Sequence, residues 1–375
     1  MQVYLDNAAS TQLHPEALKE MLPYLGASFG NPSSIHAFGR KQKAAIENVR
    51  RSIASFLGAK SSEIFFCASG TEANNIALKL AASDLKVERI LTTELEHKCV
   101  LNTAKYLQEE HGVRLEFIRT NTFGQVDLSD LERLLKIDSQ KTLVSLMHIQ
   151  NELGAVNDLN AIGALCDDHD ALFHSDTVQS IGHFNIDVKE SKLTFLSASA
   201  HKFNGPLGVG FLYKKANTPL RTWIHGGGHE RNLRSSTENV AGIVGMGKAL
   251  SIAYQNLDED SVKMGTLKAQ LKQGLREINS SILFNEQDGQ STFTILSVSI
   301  PNELIQDTFT IQLDMAGIAV SAGSACTSGA SKISDVIKNL NLNPDCSTLR
   351  FSFSTFTTIE EIKYVVDFFK KELSK

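Results

Sequence analysis

A single cysteine stands among small residues near the carboxyl end of the chain, in the stretch SAGSACTSGAS (321–331). A structural cysteine behaves as a small hydrophobe and usually has apolar neighbours. The neighbours of Cys326 are instead glycine, serine, alanine and threonine, and Gly323 and Gly329 give the backbone freedom to move. Because an accessible thiolate is a nucleophile, the pattern predicts a flexible loop that presents a reactive thiol.

A lysine with unusual neighbours is found in SASAHKFNGPLGVGFLY (197–213). Lys202 follows a predicted strand, adjoins His201 and precedes a Gly/Pro turn into a second strand of a hairpin. Most lysines are solvated surface charges, but the small residues around this one indicate an enclosed site. An enclosed lysine amine loses its proton more readily and can form a Schiff base.

Two further strand ends carry polar residues. The Ser-Gly-Thr turn at 69–71 enters a helix, and the free N–H groups of a helix N-terminus suit a phosphate. The alternative is that the hydroxyls only cap the helix. Asp176 ends an apolar strand, where a carboxylate is costly unless it meets a cation. Its alternative role is the N-cap of a following helix.

A glycine-rich loop, HGGGHERNLRSSTEN (225–239), contains two histidines, two arginines and Thr237. So many ligand-type side chains argue against a merely flexible surface loop. Open α/β sheets bind ligands at the carboxyl ends of their strands. The sequence therefore predicts one site built from several strand ends and loops.

Composition limits the class of protein. With 375 residues, two domains are expected. A net charge of −5 argues against nucleic acid or an anionic membrane as partner, and no apolar run approaches the roughly 20 residues of a membrane span. The five cysteines show no CxxC spacing, so we expect free thiols, no metal site and a reducing compartment. With no signal-peptide pattern at the amino end, the expected location is the cytoplasm.

Strand and helix patterns alternate along the first half of the chain, which predicts a mostly parallel sheet covered on both faces. Its predicted strands lie at 63–69, 89–94, 114–120, 142–149, 171–176 and 193–199. Helical patterns include 41–57, 100–110 and 159–169, with a further helix starting at a capping box, Ser129–Glu132. A long helical stretch at about 240–277 leads to strands at 291–300, 317–323 and 348–354, which we interpret as a smaller α+β domain.

Ten motifs in order resemble the class V pyridoxal-phosphate enzymes of fold type I, and more closely the group I (NifS-like) cysteine desulfurases. The motifs are LDNAAST (5–11), GNPSSIHAFG (30–39), SGTEANN (69–75), ELEHKCV (94–100), QNELGAV (150–156), SDTVQSIG (175–182), SASAHKFNGP (197–206), GGGHERNLRSSTEN (226–239), SAGSACTSG (321–329) and LRFSFS (349–354). The resemblance implies an α/β fold with a large domain, 14–255, whose mostly parallel sheet of the seven-stranded type lies between helices. A small α+β domain, 1–13 with 256–375, would carry the Cys326 loop.

The resemblance implies pyridoxal 5'-phosphate as cofactor and assigns its catalytic residues. Lys202 would carry the cofactor as a Schiff base and move the proton of the substrate Cα. Asp176 would pair with the pyridinium nitrogen, so that the ring can accept electrons. His97 would stack on the ring and relay protons. Cys326 would attack the sulfur of the substrate.

The remaining contacts implied by the resemblance involve the phosphate, the ring oxygen and the substrate. They are Gly70, Thr71, Ser199 and His201 at the phosphate, Asn151 and Gln179 near the phenolic oxygen, and Asn151 and Arg350 at the substrate. Arg350 would hold the substrate carboxylate, for which a guanidinium is suited. Thr237 would reach the phosphate of the neighbouring subunit, which implies a homodimer.

The implied reaction converts L-cysteine to L-alanine and leaves sulfur on Cys326 as a persulfide. An acceptor protein would then take the sulfur for iron–sulfur clusters or tRNA thiolation. Alternatives are a selenocysteine lyase, a class V aminotransferase, which needs no mobile thiol, and a non-enzymatic sulfur relay, against which the retained Lys202 argues. Two departures from the family are Ser236, where glycine is common, and the run Ser354–Thr355.

The other cysteines are expected to be structural. Cys67 lies in a predicted strand, and Cys99 and Cys166 lie in helical patterns. Cys346 falls in a predicted loop, NPDCS, so an accessory role for its thiol stays open.

Overall fold

The structure, a computed structural model, describes residues 1–137, 139–306, 308–322, 334–340, 342 and 345–373. Its strands are β1 (Val3–Tyr4), β2 (Ile64–Cys67), β3 (Arg89–Thr92), β4 (Arg114–Phe117), β5 (Thr142–Ser145), β6 (Leu172–Asp176), β7 (Phe195–Ser199), β8 (Gly210–Lys214), β9 (Leu283–Phe284), β10 (Ile295–Pro301), β11 (Ile318–Ala319), β12 (Ser321–Ala322) and β13 (Cys346–Ser352). Its α-helices are α1 (Pro15–Leu25), α2 (Ala37–Phe56), α3 (Gly70–Asp84), α4 (Lys98–His111), α5 (Leu128–Leu135), α6 (Leu159–Asp168), α7 (Val240–Gln255), α8 (Leu257–Ile278), α9 (Phe309–Met315), α10 (Asp335–Asn339) and α11 (Ile359–Leu373).

The larger sheet has seven strands in the order β2-β8-β7-β6-β5-β3-β4. Its strands from β7 to β4 pair in parallel, and β8 is antiparallel to both β7 and β2. The mostly parallel sheet expected from the sequence is therefore confirmed, as is the hairpin strand after Lys202. The carboxyl ends of the parallel strands share one edge, and this edge carries the polar residues.

Apolar side chains cover both faces of this sheet. Successive side chains of a strand point to opposite faces, and neighbouring residues accordingly enter different cores. Phe66 and Leu196 pack in one buried cluster, together with residues of α2 and α7. Phe65 and Phe195 pack in another, together with residues of α3 and α4. Near-continuous apolar runs in these strands follow from burial on both faces.

A second, antiparallel sheet has the order β12-β13-β10-β9 and its own core. Val298 and Phe351 of this sheet pack against residues of α8 and α11. Val3 and Leu5 belong to the same core, and β1 pairs in parallel with β11. The amino-terminal segment thus packs on the smaller unit. The exact boundaries at residues 13 and 255 stay a prediction.

The helical stretch predicted at 240–277 is divided in two. α7 ends at Gln255 and α8 begins at Leu257, with Asn256 between them. Three acidic residues open α8, which favours a new helix N-terminus because they face the positive end of its dipole. The two helices also pack into different cores.

Two local predictions were wrong. The capping box expected at Ser129 is replaced by Asp127, whose carboxylate accepts hydrogen bonds from the N–H groups of Ser129 and Asp130 at 3.0 and 3.2 Å. Cys346 lies not in a loop but in the first position of β13, opposite Pro301, and is buried. Within the described part of the chain, none of the helices combines the length and apolar character needed to cross a membrane.

Candidate active site

A cavity of about 480 Å³ lies where β2, β3, β5, β6 and β7 end. Segments following these five strands line it, together with the amino-terminal segment and β13. Ten of the twelve predicted site residues line the cavity: Gly70, Thr71, His97, Asn151, Asp176, Gln179, Ser199, His201, Lys202 and Arg350. The rule that α/β sheets bind ligands at strand carboxyl ends therefore located the cavity correctly.

Among the described residues, Thr237 is the predicted site residue that the structure does not bring there: it is exposed and does not line the cavity. Cys326 lies outside the described residues.

Lys202 ends a short 3-10 helix, Ala200–Lys202, that directly follows β7. Its amine donates hydrogen bonds to the carbonyl oxygens of Ala8 and Ala9, at 2.6 and 2.8 Å. The side chain is only partly exposed and faces the cavity. The enclosed position expected for this lysine is therefore what the structure shows.

Asp176 ends β6 and is 7% exposed. Its Oδ2 accepts a hydrogen bond from Asn74 Nδ2 at 2.7 Å, and its Oδ1 accepts one from the N–H of Val178 at 3.0 Å. The residues that follow form turns rather than a helix, so the alternative role as a helix N-cap does not apply. The carboxylate is fixed in orientation at the cavity wall.

His97 is the N-cap residue of α4, and its Nδ1 accepts a hydrogen bond from the N–H of Cys99 at 3.2 Å. The same Nδ1 lies 2.9 Å from Cys99 Sγ. Because Nδ1 acts as an acceptor, the proton of the neutral ring is assigned to Nε2. His97 therefore has an N–H available on its other side.

Glu96 is a buried carboxyl in the cavity wall that the motifs did not reveal as a site residue. It is 4% exposed, and its Oε1 accepts a hydrogen bond from the N–H of Met147 at 2.6 Å. Burial raises the pKa of Glu96 well above its usual value, and the nearby charge of Asp176 raises it further, against the effect of the Met147 hydrogen bond. The cavity thus pairs one oriented carboxylate with one carboxyl that favours its protonated form.

The N-terminus of α3 forms another wall of the cavity. The Ser69 hydroxyl accepts a hydrogen bond from the N–H of Glu72 at 3.3 Å, so this serine caps the helix as well as lining the cavity. A Cβ at Gly70 would overlap Val178 Cγ2, so only glycine fits between the helix and the turn after β6. The first turn of a 15-residue helix consequently presents backbone N–H groups close to the cavity.

His201 lies beside Lys202 and within 3.2 Å of the Ser10 hydroxyl through its Nδ1. Burial lowers the pKa of His201 to about 4, and the positive charge of Lys202 contributes. The imidazole is therefore neutral at neutral pH and serves as a hydrogen-bonding group rather than as a charge.

Arg350 brings a nearly buried guanidinium to the cavity from β13; it is 4% exposed. Its Nη1 donates to the carbonyl of Asn151 at 2.8 Å, and its Nη2 donates to Asp6 Oδ1 at 2.9 Å and to Ser321 Oγ at 3.0 Å. Its Nε is buried without a hydrogen-bond partner among the described residues. This arginine therefore links the two sheets at the cavity and retains one donor.

The four cysteines of the described residues are free thiols. Cys67, Cys166 and Cys346 are buried, and burial raises the pKa of each thiol. Cys99 lines the cavity, where burial raises its pKa to about 12. None of these four thiols has the character of a nucleophile.

The motifs did not reveal the residues that hold the side chains of the site in place. Asn74 follows Gly70 by four positions on α3, which places both on one helix face, and His174 precedes Asp176 by two on β6, which places both on one strand face. These spacings could have indicated a polar layer beneath the cavity. No such signal existed for Ala8 and Ala9, because they act through backbone oxygens.

The fold and the cavity define a class of α/β enzyme with a lysine, an acid and an imidazole at one sheet edge.

The model of the family described as "Aminotransferase class-V" matches residues 3–365, and the chain belongs to this family. The protein named "Cysteine desulfurase IscS" from Clostridium botulinum is 39% identical over 375 residues, which cover 99% of this chain and 94% of that relative.

Solved structures give the same result. One titled "NifS-like protein" superimposes with a TM-score of 0.91 at 33% identity and covers all of both chains. One titled "SspA in complex with cysteine" has a TM-score of 0.82 at 32% identity and covers 95% of this chain and all of the other. The fold and family resemblance derived from the motifs are therefore confirmed.

Proposed function

We propose that the protein is a pyridoxal-phosphate-dependent cysteine desulfurase that converts L-cysteine to L-alanine and transfers the sulfur to Cys326. The observation that carries this proposal is the gathering of Lys202, Asp176, His97 and Arg350 around one cavity. The relatives named cysteine desulfurase support it, and so does the similar SspA structure in complex with cysteine.

The donor set of the cavity fits pyridoxal phosphate. A lysine amine suits the aldehyde, a carboxylate suits the ring nitrogen, and the helix N-terminus at Gly70 suits a phosphate. Gly70 and Thr71 of that first turn both line the cavity. When bound, the cofactor supplies an electron-poor ring that draws electrons from the substrate Cα.

The side chains of the cavity supply binding and proton transfer. Lys202 holds the cofactor and moves the Cα proton, for which its amine must leave the carbonyls of Ala8 and Ala9. The imidazole face of His97 would stack on the cofactor ring, and its Nε2–H would serve in proton relay. Asp176, held by two donors, accepts the N–H of the ring nitrogen. Gln179 and Asn151 contact the ring oxygen.

Arg350 binds the substrate carboxylate. Its guanidinium is nearly buried, which strengthens its attraction for an anion, and its Nε retains a donor. Asn151 assists through its position beside Arg350. Gly70, Thr71, Ser199 and His201 would contact the phosphate.

Cys326 takes the sulfur. Its thiolate attacks the substrate sulfur and forms an S–S bond, while the bond between that sulfur and the cysteine Cβ breaks. The electron pair of the broken bond stays with the three-carbon fragment, which takes up a proton at Cβ, regains its proton at Cα and leaves as L-alanine. The persulfide then passes to an acceptor protein that serves iron–sulfur clusters or tRNA thiolation. This role rests on the sequence pattern around Cys326 and its likeness to the family.

A homodimer in the cytoplasm completes the proposal, with Thr237 reaching the phosphate of the neighbouring subunit. Thr237 is exposed in the single chain. This is expected of a residue that contacts the site of a neighbouring subunit. Large apolar residues are exposed close together in sequence from α1 to α2: Leu22, Leu25, Phe29, Ile35 and Phe38. Phe29 and Phe38 stack on each other at the surface, and exposed apolar groups that adjoin are typical of an association surface.

The test measures L-alanine and sulfide produced from L-cysteine with a thiol reductant. We expect Lys202→Ala to lose all turnover together with the visible Schiff-base band that borohydride removes. Cys326→Ala should keep that band and form no persulfide, while Cys166→Ala, a buried thiol in α6, serves as control. Equal sulfide release by the Cys326 variant would contradict its role, and amino-group transfer to a keto acid without sulfur release would indicate an aminotransferase.

A further inference from the structure

A chain of buried polar side chains lies behind Asp176. Asn74 Nδ2 donates to Asp176 Oδ2 at 2.7 Å, and Asn74 Oδ1 lies 3.0 Å from His174 Nε2. His174 Nδ1 lies 2.8 Å from the hydroxyl oxygen of Ser145. Asn74, His174 and Ser145 are each 0% exposed. Such a chain connects the acid of the cavity to the interior of the sheet.

The protons of this chain have one consistent arrangement. Burial lowers the pKa of His174 to about 3, so the ring is neutral. A carboxylate only accepts, so the Asn74 amide N–H must face Asp176 and its carbonyl must face His174. His174 therefore carries its proton on Nε2, and its Nδ1 accepts the Ser145 hydroxyl proton. In each of the three hydrogen bonds, the donor is therefore the residue farther from Asp176.

The elements explain why these residues meet. Ser145 of β5 and His174 of β6 are partners in the register of the parallel pair, so their side chains are neighbours on one sheet face. Asn74 lies on α3, one helical turn after Gly70. The second amide hydrogen of Asn74 faces Cys99 Sγ at 3.2 Å, so both of its donors are used. Rotation of this amide would turn its oxygen toward the Asp176 carboxylate, acceptor against acceptor, and its N–H groups toward the Nε2–H of His174, donor against donor.

We propose that Asn74, oriented by His174 and Ser145, is a positioning residue that keeps Asp176 a pure hydrogen-bond acceptor toward the cavity. The inference rests on the proposed function, since the group to be accepted there is the cofactor ring nitrogen. Glu96, which follows β3, and Cys99, on α4, are titratable groups close enough to Asp176 for its charge to raise their pKa values. A second carboxyl so near makes it important that the proton stays off Asp176.

The deciding substitution is Asn74→Asp, which keeps the shape of the side chain and replaces the donor by a carboxyl. Two carboxyls at this separation share a proton, so Asp176 ceases to be a pure acceptor. We expect binding of pyridoxal 5'-phosphate to weaken about tenfold or more, the effect of losing a hydrogen bond to a charged group. The visible absorption band of the bound cofactor should also change.

The matched control is Asn75→Asp, the same change one residue along. Asn75 does not face Asp176; its Nδ2 donates to the Thr71 carbonyl and its Oδ1 accepts from the Thr103 hydroxyl. We expect its cofactor affinity to stay within about twofold of the parent and its absorption band to stay unchanged.

A second pair keeps the proposal testable if Asn74→Asp does not fold. His174→Gln retains a donor toward Asn74, whereas His174→Leu removes it. A role in positioning predicts that the glutamine variant keeps the absorption band and most of the affinity, and that the leucine variant loses both. A purely packing role predicts lowered stability with an unchanged band in every variant.

The outcomes separate the two proposals. If the parent produces alanine and sulfide from L-cysteine but Asn74→Asp matches Asn75→Asp in affinity and spectrum, the positioning role is overturned and the proposed function stands. If His174→Gln and His174→Leu give identical spectra, the orienting role of His174 is overturned. If the parent binds no pyridoxal 5'-phosphate, both proposals are overturned.

Discussion

The amine of Lys202 is held by the backbone of residues far away in sequence, since it donates to the carbonyl oxygens of Ala8 and Ala9. The amino-terminal segment packs on the smaller unit, whereas Lys202 follows a strand of the larger sheet. This contact therefore joins the two units at the cavity. A group that reacts with the amine must compete with these two carbonyls.

We expect Lys202→Met to loosen the amino-terminal segment, because it removes both hydrogen bonds. Gln179 still donates to the Ala8 carbonyl at 2.9 Å, so the change should be local rather than global. With both proteins free of cofactor, hydrogen exchange of a peptide spanning residues 5–12 should accelerate about tenfold, the size expected for losing these hydrogen bonds. Lys86→Met, at an exposed lysine, is the control. Unchanged exchange in the Lys202 variant would show that the contact does not hold the segment.

Asp6→Asn should destabilise the protein, because Asp6 is the carboxylate that pairs with the nearly buried Arg350. We expect the free energy of unfolding in urea to fall by about 2 kcal/mol, the size of a hydrogen bond to a charged group. Removing the competing carboxylate should also tighten binding of substrate carboxylate at Arg350 and lower KM. Lys136→Gln, in an exposed pair with Glu132, should cost less than about 0.5 kcal/mol. Equal effects of the two substitutions would refute the importance of the buried pair.

Glu96→Gln should stabilise the protein increasingly as pH rises. The carboxyl has a raised pKa in the folded state, so its favourable protonated form is retained there while the unfolded chain ionises above about pH 4.3. The parent should lose up to about 1.4 kcal/mol per pH unit relative to the variant, until the folded pKa is reached. Below about pH 4 the two should be equally stable. Unfolding measured from pH 4 to pH 8 checks this, with exposed Glu94→Gln as a control that should show no such slope.

The main parts of the site were predictable because strand ends place chemistry at one edge. Asp176 ends one apolar strand and Lys202 follows another, and parallel pairing of β6 and β7 brings these two ends together. Gly70 follows β2, which reaches the same edge through β8, antiparallel to both β2 and β7. The alternation of strands and helices was enough to predict that pairing. Side-chain type is the basis of the role proposed for each residue.

What the sequence could not predict depends on contacts between distant segments. Ala8 and Ala9 bind the Lys202 amine through their backbone carbonyl oxygens, and the type of their side chains gives no indication of this contact. The orientation of Asn74 depends on the protonation of His174, which burial decides. The break at Asn256 arises because α7 and α8 pack into different cores. This is a tertiary effect, and helical periodicity in the sequence does not predict it.

Gly70→Ala should disturb the wall of the cavity at the start of α3, because the added Cβ would overlap Val178 Cγ2. Overpacking of this kind costs about 1–3 kcal/mol of unfolding free energy, and it should also weaken binding of pyridoxal 5'-phosphate. The double variant Gly70→Ala/Val178→Ala removes the obstructing methyl and should recover most of both losses. Gly26→Ala is the control, since nothing lies within 4 Å of its Cβ position. Urea unfolding and cofactor titration of the four proteins measure the effect, and a double variant as impaired as the single one would show that Val178 is not what requires glycine there.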